Sequence, residues 1–232
     1  MSTPNPEPAA WAERAADRSP LVHRSRARSI EQAKAMVDAA RRLIAQKGER
    51  FTTQELVKEA GVALQTFYRH FEGKDHLLLA VMEDTIAEGA ADFERTTRHL
   101  KNPVDRLHHY VTAIFETLGP EGGDVSPRFI AAEHWRLYQL FPLEMQNATR
   151  PVTDLLLREI RDAEAKGLVR PADAERAAWL MTTIMMSAYH HFAFAPDAEG
   201  EATIAADVWA FGLGAIGGAP GPEKPGRRGR PT

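Results

Sequence analysis

Between residues 52 and 71 the chain sets two short amphipathic segments on either side of Gly61-Val62-Ala63, and this constrains the fold more than any other feature of its 232 residues. Thr52-Thr53-Gln54-Glu55 has the Thr-x-x-Glu spacing of a capping box, so a helix is expected over 53–60 with Gly61 as its stop. A second helix is expected over 64–71, where Phe67 and Phe71 lie four residues apart on one face while Gln65, Thr66 and Arg69 fall on others. Two short helices joined by a tight Gly-containing turn make a helix-turn-helix, whose second helix enters the DNA major groove. In that setting Gln65 suits adenine, Arg69 suits guanine, and Thr66 suits a base edge or the thymine methyl. Tyr68, His70 and Lys74 are expected to reach phosphates. So are Thr52 and Thr53, where backbone N–H groups at a helix start favour anions.

The run from Thr52 to Leu78 resembles the DNA-binding signature of TetR-family (tetracycline-repressor-like) transcriptional regulators. Shared features are the Thr52-Thr53 start, the Ala60-Gly61-Val62 turn, Tyr68-Arg69-His70-Phe71 and Lys74 opening the next helix. Ala39 to Gly48 is similar to the family's first helix, so the resemblance covers about residues 30–80. Two positions depart from the pattern. Ala63 stands where many members have Ser, which removes a cap hydroxyl. Leu64-Gln65 stands where small residues are frequent, which shifts the expected base preference and adds Leu64 to the DNA-facing set.

Charge is distributed to match. Residues 21–74 hold eleven Lys and Arg against six Asp and Glu, whereas 75–218 hold twelve against twenty-two, so the net charge of -3 is a cancellation. A basic block marks a polyanion partner. The expected organisation is a disordered arm at 1–27, a helix-turn-helix domain at 28–74, a helical effector-binding and dimerisation domain at 75–217, and a flexible basic tail at 218–232. In the arm, Arg24, Arg26 and Arg28 are either a DNA-contacting extension or a soluble leader. In the tail, Arg228-Gly229-Arg230-Pro231 resembles an AT-hook core, although a solvated basic tail is the plainer reading.

Apolar residues recur at steps of three and four in every later segment, and nothing alternates with period two, so the fold class is all-α. Helices are expected at about 29–47 (with Ser29 as N-cap), 74–99, 103–118, 127–140, 142–166 with a kink or break at Pro151, 173–194 and 202–216. The resemblance implies a homodimer on a pseudo-palindromic operator, with repression as the usual mode and the last two helices as the dimer seam. Ala177, Met181, Ala188, Ala205, Val208 and Gly212 are the candidates for that seam; the alternative is that these helices pack within one protomer. Large soft side chains suit an apolar effector cavity, with His108, Phe115, Phe129, His134, Trp135, Tyr138, Met145, Met181, Met185 and Tyr189 as candidates and His190 and Arg136 as further polar anchors. The effector is expected to be hydrophobic or amphipathic.

Several classes are excluded or disfavoured. The chain has no Cys, which removes disulfide scaffolds, Cys-ligated zinc and thiol nucleophiles. No enzyme motif of the metalloprotease, Walker, dinucleotide or nucleophile-elbow type occurs. His108-His109 and His190-His191 are adjacent, so on a helix each pair diverges by about 100° and does not chelate one metal. No cofactor, metal or membrane span is expected, and the cytoplasm is the expected location. A helical adaptor acting through protein partners, with vestigial DNA binding, is the competing functional reading.

Overall fold

The structure is a computed structural model that describes residues 18–118, 127–194 and 201–218, together with Trp11. The elements, in chain order, are α1 (Pro20–Lys47), a 3-10 turn (Gly48–Arg50), α2 (Thr53–Ala60), α3 (Leu64–His70), α4 (Lys74–Thr97), α5 (Pro103–Glu116), α6 (Pro127–Leu140), α7 (Pro142–Ala165), α8 (Ala174–Phe194) and α9 (Glu201–Ala215). No strand occurs among the described residues. The chain divides into two compact units, residues 1–77 and 78–232, and the division falls within α4.

In the first unit, α1 buries Met36, Val37, Ala39, Ala40, Leu43 and Ile44. Phe51, Leu56, Phe67, Phe71 and Leu77 are buried from the later elements of the unit. Gly48 ends α1 at φ 62°, with its N–H returned to the Ile44 carbonyl. Gly61 ends α2 at φ 65° in the left-handed region, where a residue without Cβ carries no strain.

Two sequence expectations need correction here. The first helix begins at Pro20, not Ser29, so residues 20–27 are helical and not a disordered arm. Pro20 serves at the first helical position, where its missing N–H costs nothing. The second concerns Pro151: of the expected kink or break there is no break, since α7 runs from Pro142 to Ala165 with Pro151 inside it. Residues 1–10 and 12–17 of the expected arm, residues 119–126 and 195–200, and residues 219–232 of the expected tail lie outside the described residues.

In the second unit the core is built from Leu107, Tyr110, Val111, Phe115, Leu156, Ile160 and Met185. Arg106 of α5 bridges to α7: Nε donates to Glu159 at 2.7 Å and Nη2 to Asp162 at 2.8 Å. Glu159 is buried, so this pair satisfies a carboxylate that would otherwise be costly to desolvate. Tyr110 shares a hydrogen bond with buried Thr97 at 3.0 Å. Helices α8 and α9 meet closely at Gly212, where a Cβ would stand 3.0 Å from Met181 Cε.

Candidate nucleic-acid interface and effector cleft

Helix α2 is held by its capping box: the Glu55 N–H donates to the Thr52 hydroxyl at 3.2 Å, and the Thr52 N–H donates to the Glu55 carboxylate at 2.8 Å. Lys47 donates to the same carboxylate at 2.6 Å and Arg42 to Glu59 at 2.8 Å, so two ion pairs tie α2 to α1. The Lys47 ammonium, with the Thr52 N–H and hydroxyl, lowers Glu55 to a pKa of about 2. Helix α3 has Ala63 at its N-cap and so no side-chain cap, as the departure at that position implied. Phe67 is buried and packs tilted against Phe71 at 5.8 Å, which turns the opposite face outward. That face carries Leu64, Gln65, Tyr68 and Arg69, all exposed; Tyr68 keeps 57% of its surface open.

Not every residue assigned to DNA is available for it in this conformation. Lys74 Nζ donates to the Phe51 carbonyl at 3.0 Å and lies 4.2 Å above the Phe51 ring, so it is turned into its own unit and not out to phosphate. His70 has a buried Nε2 without a partner, which also points inward. The Thr52 hydroxyl is engaged with Glu55, Thr53 and Thr66 are half-buried, and Arg69 Nη2 donates to Gln32 Oε1 at 3.0 Å. Gln32 was missed from the sequence because its link to Arg69 spans 37 residues.

The second unit holds a cleft of about 670 Å³ between α6, α7 and α8. Of the ten expected effector residues, His134, Trp135 and Tyr138 line it. Phe115, Met145, Met181, Met185 and Tyr189 are buried core instead, His108 packs edge-on to Trp209 at 5.0 Å, and half-buried Phe129 does not line the cleft. Apolar periodicity marks core and cavity wall alike, so it could not separate them. His190 is on the wall as an anchor, but Arg136 is not: it forms an ion pair with buried Glu133 at 2.7 Å. The polar wall from Gln146, Asn147, Arg150, Thr153 and Asp154 of α7, and Trp179 and Thr182 of α8, carried no sequence signal beyond ordinary helix-surface composition.

Burial first, and then the neighbouring His190, lower His134 to a pKa of about 4; burial also lowers His190. The two rings stand 5.0 Å apart. Both are therefore neutral near neutral pH.

The residues expected at the dimer seam are packed within this chain. Met181, Ala205, Val208 and Gly212 are buried inside this chain, and Ala177 and Ala188 pack against the same core. These small residues let α8 and α9 approach their own neighbours. The outward faces of α8 and α9 carry Leu180, Phe194 and Phe211 instead, the last 62% exposed.

The family model for bacterial regulatory proteins of the tetR family matches residues 36–81, from the buried part of α1 through the helix-turn-helix into α4. Residues 36–81 are thus a tetR-family segment. The tetR-family match extends to the HTH-type transcriptional regulator BetI of Brucella canis, 31% identical over 81 residues, which is 34% of this chain and 41% of that protein. BetI of Brucella suis matches to the same extent. The chain thus spans about two fifths of the length of these curated relatives. Among solved structures, the tetR-family repressor FadR of Thermus thermophilus, in complex with lauroyl-CoA, superposes with a TM-score of 0.65 at 18% identity over 85% of this chain and 100% of that one. The regulator FadR of Bacillus subtilis, in complex with stearoyl-CoA, gives 0.62 at 16% identity over 79% and 98%. These likenesses extend the shared helical fold beyond residue 81. No described helix is long and apolar enough to cross a membrane.

Proposed function

We propose that the chain is a ligand-responsive DNA-binding transcriptional regulator: a repressor that binds a pseudo-palindromic operator as a homodimer and leaves it when a small hydrophobic or amphipathic effector binds. The observation that carries this reading is the outward face of α3, where Gln65, Tyr68 and Arg69 stand exposed on a helix whose other face is locked by Phe67. An exposed Tyr with a Gln and an Arg at base-reading positions has little use except contact with a partner. The acyl-CoA complexes of the two FadR proteins support an effector role for the second unit and its cleft. No catalytic step belongs to this reading, and it places the protein in the cytoplasm.

Two copies of the chain would present their operator-reading faces with two-fold symmetry. The apolar outward faces of α8 and α9 support that pairing. The division at Leu77–Leu78 falls within α4, and in this reading a ligand-dependent change in the second unit would alter operator binding by the first. Coupling between such sites is typically about 1–3 kcal/mol.

The test is a gel shift of DNA from immediately upstream of the coding sequence, at moderate salt and with excess unrelated DNA. A discrete complex with a dimer is expected. The adaptor reading predicts no shift, and that result would overturn the regulator.

A further inference from the structure

Two residues that line the cleft carry buried ring nitrogens that no side chain of the protein satisfies. His134 is only 7% exposed, and neither its Nδ1 nor its Nε2 has a hydrogen-bond partner. The Nε2 of His190, across the 5.0 Å ring contact, is buried and unpartnered as well. Buried polar atoms in folded proteins are nearly always satisfied, and leaving one bare is costly. Three bare nitrogens on two neighbouring rings that line a cleft large enough for a drug-sized molecule point to a ligand.

The chemistry of that ligand follows from the atoms. Each neutral imidazole offers one N–H and one lone pair, so the pair presents donors and acceptors side by side. A carboxylate only accepts and would leave the lone pairs bare. It would also bring a charge to a wall whose cationic side chain, Arg150, is exposed and already 3.8 Å from Asp154. An ammonium only donates, with the converse defect. A hydroxyl does both. Around the same cleft stand Trp135, Tyr138 and Trp179, all substantially exposed and suited to the face of a planar ring.

Building on the reading of the second unit as an effector domain, we propose that the cleft binds an uncharged aromatic hydroxyl compound, a phenol, with its hydroxyl on His134 and His190 and its ring against the Trp135–Tyr138–Trp179 rim.

Three planar probes test this with the full-length protein near neutral pH, read by quenching of tryptophan fluorescence: 2-naphthol, naphthalene and 2-naphthoate. 2-Naphthol is expected to bind at least about tenfold more tightly than either of the others, the factor set by one well-placed hydrogen bond. His134→Leu and His190→Leu are expected to remove that preference while leaving naphthalene within about twofold, which also shows that the cleft persists. His134→Gln, which keeps a donor and an acceptor, is expected to restore part of it. Equal binding of naphthalene and 2-naphthol, tighter binding of 2-naphthoate, or an undiminished preference in His134→Leu overturns the proposal. The three-probe ranking in the unsubstituted protein decides even if the variants fold poorly. The upstream-DNA gel shift is run in parallel: protein that shifts DNA without a hydroxyl preference overturns the ligand class alone, and protein with the preference but no shift overturns the regulator reading alone.

Discussion

Arg69 donates to Gln32 at 3.0 Å, so reading a base means exchanging one neutral amide partner for the two acceptors on a guanine edge. Arg69→Ala is expected to relax sequence preference at one operator position by about 1–3 kcal/mol, and Gln65→Ala to do so at another. Tyr68→Ala should weaken all sequences alike. Competition gel shifts on single-base variants of the bound fragment separate the two patterns. Unchanged binding across all three would remove α3 from the interface. Glu55 sets a second expectation at this scale. Its pKa is about 2 in the folded unit and ordinarily near 4.5, so the carboxylate is stabilised by folding. That contribution is complete above the ordinary value and fades as pH falls from about 4.5 towards about 2. Glu55→Gln should therefore flatten the acid dependence of unfolding in this range, followed by circular dichroism.

At the scale of elements, α1 is the most informative. Its first three turns bury no hydrophobic side chain and carry Arg24, Arg26 and Arg28, all exposed. From the Gln32–Arg69 contact back to Pro20 the helix extends about 18 Å at the usual rise per residue. If that extension lies along DNA, replacing the three arginines with Ala should lower the slope of log affinity against log salt by up to about three, with no loss of fold. An unchanged slope would mark it as a solvated helix. These turns also show where sequence reading stops. The helix-turn-helix was legible because the capping box, Gly61 and the Phe67–Phe71 pair each leave a local mark. The start of α1 left none, since a helix that packs against nothing has no apolar period. The Lys74 contact left no mark for a related reason: that its ammonium turns to Phe51, 23 residues away, is a tertiary fact.

For the whole molecule, the distinction is between side chains that hold one chain together and those that would join two. Met181→Ala should destabilise the fold by about 2–5 kcal/mol, as expected for a large side chain removed from a core, with little effect on association. Phe211→Glu should do the reverse, giving folded monomer by analytical ultracentrifugation and loss of operator binding. A folded dimer in Phe211→Glu would place the seam elsewhere. The sequence pattern located α8 and α9, but the residues it named for the seam are packed within this chain, because small residues suit close packing within a chain as well as between chains. The cleft was half legible: aromatic and His residues of α6 could be named, while the polar side chains of α7 and α8 look like ordinary surface until folding faces them inward.

The unsupported turns of α1 have a practical consequence. A helix segment secured only by its own backbone opens with a small free energy, far below that of the packed remainder. Trypsin acts on open arginine-containing backbone, so Arg24, Arg26 and Arg28 become early targets, and a DNA duplex lying over them would close those sites. Limited digestion followed by mass spectrometry then becomes an occupancy meter: the rate of cleavage at three peptide bonds reports whether the protein is on its operator, without a label and without knowing the effector.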